Sequence, residues 1–162
     1  MDGPRVLVYA TVAVILGVTV LSGPAIGIVD LTTPRYDMSG VGEGNATVDV
    51  VEAPSTVALE RGYQSESYYL TVPDARVRFA ALAGKPIVAY GIEIPALGYS
   101  RSTTHFLTDR GPGWVSLSLR EDTLSNGTVT ADSYEGRLSI VVRDSDGKTV
   151  VYDEPVRVEV TE

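Results

Sequence analysis

The only histidine, His105, stands in the run Tyr99-Ser100-Arg101-Ser102-Thr103-Thr104-His105-Phe106, with Asp109 close behind it. Serine, histidine and aspartate are the residue types of a nucleophilic relay. Such a relay also needs a nucleophile on a strained turn, an ordered third partner and donors for an oxyanion. No G-x-S-x-G elbow surrounds Ser100 or Ser102, so His105 is expected to be structural. Glu93, Asp109, Glu121 and Asp122 supply carboxylates for acid–base work, but no spacing singles out a pair, and Glu121-Asp122 reads as a solvated loop. Asp144-Ser145-Asp146-Gly147 opens like a calcium loop, yet its twelfth position, where a bidentate Glu belongs, is Pro155. The segment is read as a tight hairpin turn instead. The chain has no cysteine, which removes thiolate metal sites, a Cys nucleophile and disulfides, and one histidine cannot build a multi-His centre. No catalytic residue, cofactor or metal ligand is assigned, and the chain is not read as an enzyme; an accessory hydrolase of the cell envelope is the alternative.

Two motifs concern modification rather than catalysis. Asn45-Ala46-Thr47 and Asn126-Gly127-Thr128 both match the N-glycosylation acceptor pattern, at predicted strand edges or turns. For binding, the better materials are aromatic: Tyr63, Tyr68, Tyr69, Tyr99 and Trp114, together with Tyr90. Tyr and Trp offer contact area with a polar handle and anchor many interfaces, although they also fill cores. Tyr68 and Tyr69 are adjacent, and adjacent strand residues face opposite ways, so one of them is expected to point outward.

Across its 162 residues the chain carries 13 Lys+Arg against 21 Asp+Glu, a formal net charge of −8, which argues against binding nucleic acid through phosphates. Lys85 and Lys148 are the only lysines; every other base is arginine. At high ionic strength screening shortens to about 3 Å at 1 M salt, so self-repulsion among surplus carboxylates costs little. In this composition the chain resembles haloarchaeal proteins.

What positions these residues begins with an apolar run. Val6–Val29, VLVYATVAVILGVTVLSGPAIGIV, contains no charged residue in 24 positions. A spanning helix needs roughly 20 such residues and a signal-peptide core roughly 7–15. Residues 1–29 are therefore read as a signal anchor that holds the chain in the membrane through residues 6–29. Secretion after cleavage near Ala25 is the alternative. Arg5 before the run places the N-terminus in the cytoplasm and the rest outside. Residues 30–45, broken by Pro34, Gly40, Gly42 and Gly44, read as a flexible tether.

From residue 46 to residue 162 the pattern has period two. Val48 and Val50, Val57 and Leu59, Val77, Phe79 and Ala81, Val115, Leu117 and Leu119, Leu138, Ile140 and Val142, and Val156, Val158 and Val160 each alternate with mostly polar neighbours. Alternation of this kind puts one strand face in a core and the other in water. Ile87–Ile94 is more continuously apolar and reads as a central strand. Turn signals at Ala53-Pro54, Pro73-Asp74, Gly84-Lys85-Pro86, Gly111-Pro112-Gly113, Asn126-Gly127 and Asp146-Gly147 separate the runs. The expected fold is all-β, an antiparallel sandwich of eight or nine strands preceded by one transmembrane helix. At fold level it resembles the immunoglobulin-like domains common on cell surfaces, although no Cys pair brackets Trp114. The expected function is a cell-surface structural or binding module whose partner is another envelope protein, a surface glycan or a further copy of itself. A filament or surface-layer subunit that donates Val48–Val51 to a neighbour's sheet is the alternative within that class.

Overall fold

A computed structural model describes residues 39–161 apart from residue 109. The signal anchor of residues 1–29, the tether up to residue 38 and Asp109 lie outside the described residues. No helix among the described residues is long and apolar enough to cross a membrane.

The described chain is all-β. Ten strands follow in order: β1 (Glu43–Glu52), β2 (Thr56–Arg61), β3 (Ser67–Thr71), β4 (Ala75–Lys85), β5 (Ile87–Ile94), β6 (Tyr99–Phe106), β7 (Gly113–Leu117), β8 (Asp122–Ser125), β9 (Ser133–Asp144) and β10 (Gly147–Thr161). The helical segments among the described residues are two 3-10 turns, Pro95–Leu97 and Asn126–Thr128. A three-stranded sheet of order β1-β4-β7 packs against a seven-stranded sheet of order β6-β5-β9-β10-β2-β3-β8.

Period two places the core as expected. Val57, Leu59, Val77, Phe79, Val115, Leu117, Leu138, Ile140, Val142, Val156 and Val158 are all buried, whereas Ala81, Val48, Val50 and Val160 are only half-buried. From β5, Val88, Tyr90, Ile92 and Ile94 enter the same core. Tyr90 keeps its polar end satisfied there, because its hydroxyl donates to the Pro73 carbonyl at 3.0 Å.

Four details differ from the expectation. The strands number ten, since Ser67–Thr71 and Asp122–Ser125 are also strands. The runs on either side of Pro155 form one strand, β10, with a bulge between Val150 and Tyr152. Proline cannot donate to a ladder and is confined to positions with a free side. Pairing of β10 with β2 begins only at Arg157, so Pro155 has β9 as its one neighbour. That β10–β2 pairing is parallel, so the fold is not wholly antiparallel. Finally, β1 begins at Glu43, inside the segment read as tether.

The start of β1 is fastened at both sides. Gly44 lies opposite Gly84 in the β1–β4 ladder, and both have positive φ, 117° and 80°. A Cβ on Gly44 would stand 2.1 Å from the Ala83 carbonyl oxygen, so only glycine permits this approach. On the other side, Gly44 N–H donates to Ser145 Oγ at 2.8 Å and Ala46 N–H to Asp144 Oδ2 at 3.1 Å.

Side chains also join the two edges of the larger sheet. Tyr99 and Arg101 on β6 both bond Asp122 on β8, Tyr99 through its hydroxyl at 3.0 Å and Arg101 as an ion pair. Strands β6 and β8 are opposite ends of that sheet, so the sheet coils far enough for its edges to meet.

Candidate functional site

Of the residues that could have formed a relay, His105 is bonded between strands, Ser100 and Ser102 face outward, and Asp109 lies outside the described residues. Tyr99, Arg101, Thr103 and His105 share the half-buried face of β6, while Ser100, Ser102, Thr104 and Phe106 face outward. His105 Nε2 lies 2.9 Å from the Ser118 carbonyl oxygen, which ties β6 to the segment after β7. Asp122 does not sit in a solvated loop: it closes the β6–β8 seam. Its carboxyl is held below the usual carboxylate range, chiefly by the Arg101 guanidinium and then by the Thr123 N–H. The Tyr99 hydroxyl is pushed up to about 12, first by desolvation and then by its bond to Asp122. Asp144 is likewise committed, because Oδ2 accepts from Ala46 N–H and Oδ1 accepts from Asp146 N–H at 3.0 Å. Among the described residues no group of three or more His, Cys, Asp or Glu is arranged to hold a metal.

The aromatic candidates are scattered. Tyr63 is 92% exposed at the tip of the β2–β3 hairpin, beside a cavity of about 500 Å³ lined by Arg61–Glu66. Tyr69 faces outward on β3 and its ring covers Gly62, while Tyr68 points into the core, as their adjacency requires. Tyr99 belongs to the seam. Trp114 lies on the outer side of the three-stranded sheet, 42% exposed, with the Arg76 guanidinium 4.8 Å from its ring centroid. Only Tyr63 and Tyr69 share a neighbourhood. Of the two acceptor asparagines, Asn45 is exposed on β1, and Asn126 donates its N–H to the Glu66 carbonyl at 2.9 Å, beside the Tyr63 hairpin.

A different surface stands out when the two outer faces are compared. Outside the three-stranded sheet Arg78 pairs with Asp49 and Arg76 with Glu52, and the Ser116 hydroxyl donates to Asp74. Outside the β6-β5-β9-β10 half of the larger sheet, pairing register defines four cross-strand rows of another character. The first is Ser100–Glu93–Arg137–Pro155, the second Ser102–Gly91–Ser139–Asp153, the third Thr104–Ala89–Val141–Val150 and the fourth Phe106–Ile87–Arg143–Lys148.

The third row is uncharged and mostly apolar, the second holds Asp153 at its β10 end, and the first and fourth hold Glu93, Arg137, Arg143 and Lys148. Phe106 and Val150 are 50% and 58% exposed, and Ile87, Ala89 and Val141 are half-buried. Where the first and second rows meet, a groove of about 280 Å³ has Gly91 in its floor, with Ser100, Ser102, Ser139, Glu93, Arg137 and Asp153 around it. Gly91 leaves room in this floor, because any larger residue would be tightly packed there. A Cβ there would lie 3.2 Å from both the Arg101 carbonyl oxygen and Ser102 Cβ. Arg137 and Asp153 pair across the β9–β10 ladder at 3.3 Å, with both side chains about half exposed.

The aromatic signal missed this surface. The sequence signal that did exist was the near-continuous apolar run Ile87–Ile94, the pattern of a strand covered on both sides. Among the described residues β5 is covered on one side by the core and on its other side by no further element. In comparisons with known proteins, no family model matches the chain, and no curated protein matches it.

Proposed function

We propose that this chain is a single-pass membrane protein that displays an immunoglobulin-like β-sandwich outside the cell as a protein-binding module, docking its partner on the outer face of β6-β5-β9-β10. The observation that carries this reading is the uncovered side of β5. Ile87, Ala89 and Gly91, flanked by Val141, Val150 and Phe106, form an apolar strip along β5, with Glu93, Arg137 and Asp153 toward one end and Arg143 and Lys148 beside the other. Protein interfaces share that arrangement of an apolar middle and a polar rim.

The immunoglobulin likeness rests on strand order. The hairpin β5–β6 lies beside the hairpin β9–β10 in one sheet, and β4 with β7 lie in the other, as in sandwiches of that type. The anchor rests on the uncharged run of residues 6–29. A haloarchaeal, glycosylated surface setting rests on the arginine-dominated acidic composition and on the exposure of Asn45. Strand donation by β1 would have to begin by opening the β1–β4 ladder, in which β1 is paired from Glu43 to Glu52.

A photoreactive amino acid placed at Ala89 in the full-length chain, in native membranes, tests the docking face, with Thr123 on the outer side of β8 as control. A discrete protein adduct from position 89 and none from position 123 is expected. Equal labelling from both, or none from 89, overturns the proposal. The chain's mass in the same cells tests the anchor: the intact chain belongs in the membrane, and a chain beginning near Ile26 in the medium contradicts it.

A further inference from the structure

We infer that Asn45 carries an N-linked glycan and that Asn126 stays bare, because only Asn45 presents both groups of its acceptor motif on one open face of the folded domain. A glycan there rests on the outside location proposed above and adds to it the site of attachment.

The acceptor pattern couples two groups, the carboxamide that becomes bonded to the sugar and a hydroxyl two residues on by which the transferase reads it. An enzyme that meets the folded domain has to reach both from one side. In a strand, residues two apart point the same way, with Cα atoms roughly 7 Å apart. Asn45 and Thr47 are both exposed on β1, whereas Ala46 and Val48 are half-buried and pack against the core. Among the described residues neither the Asn45 carboxamide nor the Thr47 hydroxyl has a hydrogen-bond partner. In the β1–β4 ladder Asn45 lies opposite Ala83 and Thr47 opposite Ala81. Directly opposite side chains have Cβ atoms about 5 Å apart, so an alanine at each place leaves the space over the motif open. A register shift after Thr47 produces this arrangement, since bulges re-aim side chains. It takes Ala81 out of the buried row of Val77 and Phe79 and sets it beside Thr47.

The second motif is folded differently. Asn126–Thr128 is a 3-10 turn, in which side chains two positions apart point about 120° away from each other. Asn126 is half-buried while Thr128 is exposed. Thr128 Oγ1 lies 2.8 Å from Ser125 Oγ, and the Asn126 N–H is bonded to the Glu66 carbonyl. Offering both groups to one active site would mean unwinding the turn and breaking these bonds.

The transfer is a substitution at the anomeric carbon of the sugar. Asn45 Nδ2 forms a bond to C1 of an oligosaccharide carried as a phosphate ester on a lipid. The C1–O bond breaks, and the lipid phosphate leaves with its electron pair. The carboxamide gives up one proton to a base of the transferase, and nothing is oxidised or reduced. A glycan at Asn45 stands on the outer side of the three-stranded sheet, beside Ala81 and Ala83, where Arg78–Asp49 and Arg76–Glu52 already pair. The outer face of β6-β5-β9-β10, which belongs to the other sheet, is left open to its partner.

Trypsin releases Asn45 in the peptide 36–61 and Asn126 in the peptide 121–137. In the full-length chain purified from its native cells, mass spectrometry is expected to find added sugar mass on 36–61 and none on 121–137. Thr47→Val, which keeps a β-branched side chain in β1, should remove the added mass, and Thr47→Ser should keep it. A bare peptide 36–61, added mass on 121–137, or added mass that survives Thr47→Val overturns the inference. Location is read separately, because the chain contains no cysteine to confuse the label. The Thr123→Cys chain is treated on intact cells with a membrane-impermeant maleimide. Labelling together with a bare peptide 36–61 overturns the attachment site and leaves the outside location standing. No labelling overturns the location, and the attachment site with it.

Discussion

Tyr99→Phe isolates the seam that closes the larger sheet, because it deletes one hydroxyl and leaves the ring. That hydroxyl donates to Asp122 at 3.0 Å, from a side chain that is half-buried. Hydrogen bonds to charged groups contribute about 1.5–3 kcal/mol, and partial exposure takes this one to the lower end. Asp122 is not orphaned by the change, since Arg101 and the Thr123 N–H still hold it. The expected loss is therefore about 1–1.5 kcal/mol, or a fall in Tm of roughly 3–6 °C for a domain of this size. The pH profile supplies a second, independent readout. The folded Tyr99 hydroxyl is raised to about 12 from 10, so its contribution is complete below pH 10 and is lost as pH rises from 10 to 12. Thermal melts by circular dichroism should show the wild-type chain losing more stability across that window than Tyr99→Phe. Equal Tm values with parallel alkaline limbs would refute the idea that this bond holds the two sheet edges together.

Other consequences are smaller in scope. Because the Arg101 guanidinium and the Thr123 N–H lower the Asp122 carboxyl, its contribution is present above about pH 4 and lost as pH falls through the depressed value. Asp122→Asn should therefore flatten the acid limb of the stability profile, and an unchanged limb would count against the pairing. Gly44→Ala must push a Cβ into the Ala83 carbonyl at a φ of 117°; a loss of more than about 3 kcal/mol in denaturant unfolding is expected, with β1 the first strand to exchange its amides. Tyr90→Phe should cost about 1–2 kcal/mol in the same assay, through the hydroxyl bond to the Pro73 carbonyl, and a neutral result would mean that water replaces that bond.

How far the sequence reached depended on what alternation encodes. Leu138, Ile140 and Val142 had to share a face, and all three are buried, because period two is a direct consequence of strand geometry. Alternation carries no information about direction, so nothing in Val156–Val160 or Val57–Leu59 announced that β10 and β2 run parallel. Ser67–Thr71 and Asp122–Ser125 are too short to show a period, and Asp122 passed for a loop residue because its partners are distant in sequence. Pro155 divided one strand in two on paper, because which side of β10 lies open is a tertiary fact. The candidate site was half legible. Aromatic residue types drew attention to Tyr68 and Tyr99, which the fold uses in the core and the seam. The proposed docking face was instead written in what β5 lacks, a charge at Ile87, Ala89 or Gly91.

A docking face must be covered when the protein is at work, and here that face is the outer side of β6-β5-β9-β10. Hydroxyl-radical footprinting of the full-length chain, in native membranes and again purified and dilute, tests it most directly. Phe106, Val141 and Val150 report the face, and Tyr63 and Trp114 serve as internal references elsewhere on the surface. Oxidation of the three reporters is expected to fall several-fold in membranes relative to the dilute chain while Tyr63 and Trp114 stay constant. Equal oxidation of Phe106, Val141 and Val150 in both states would contradict it.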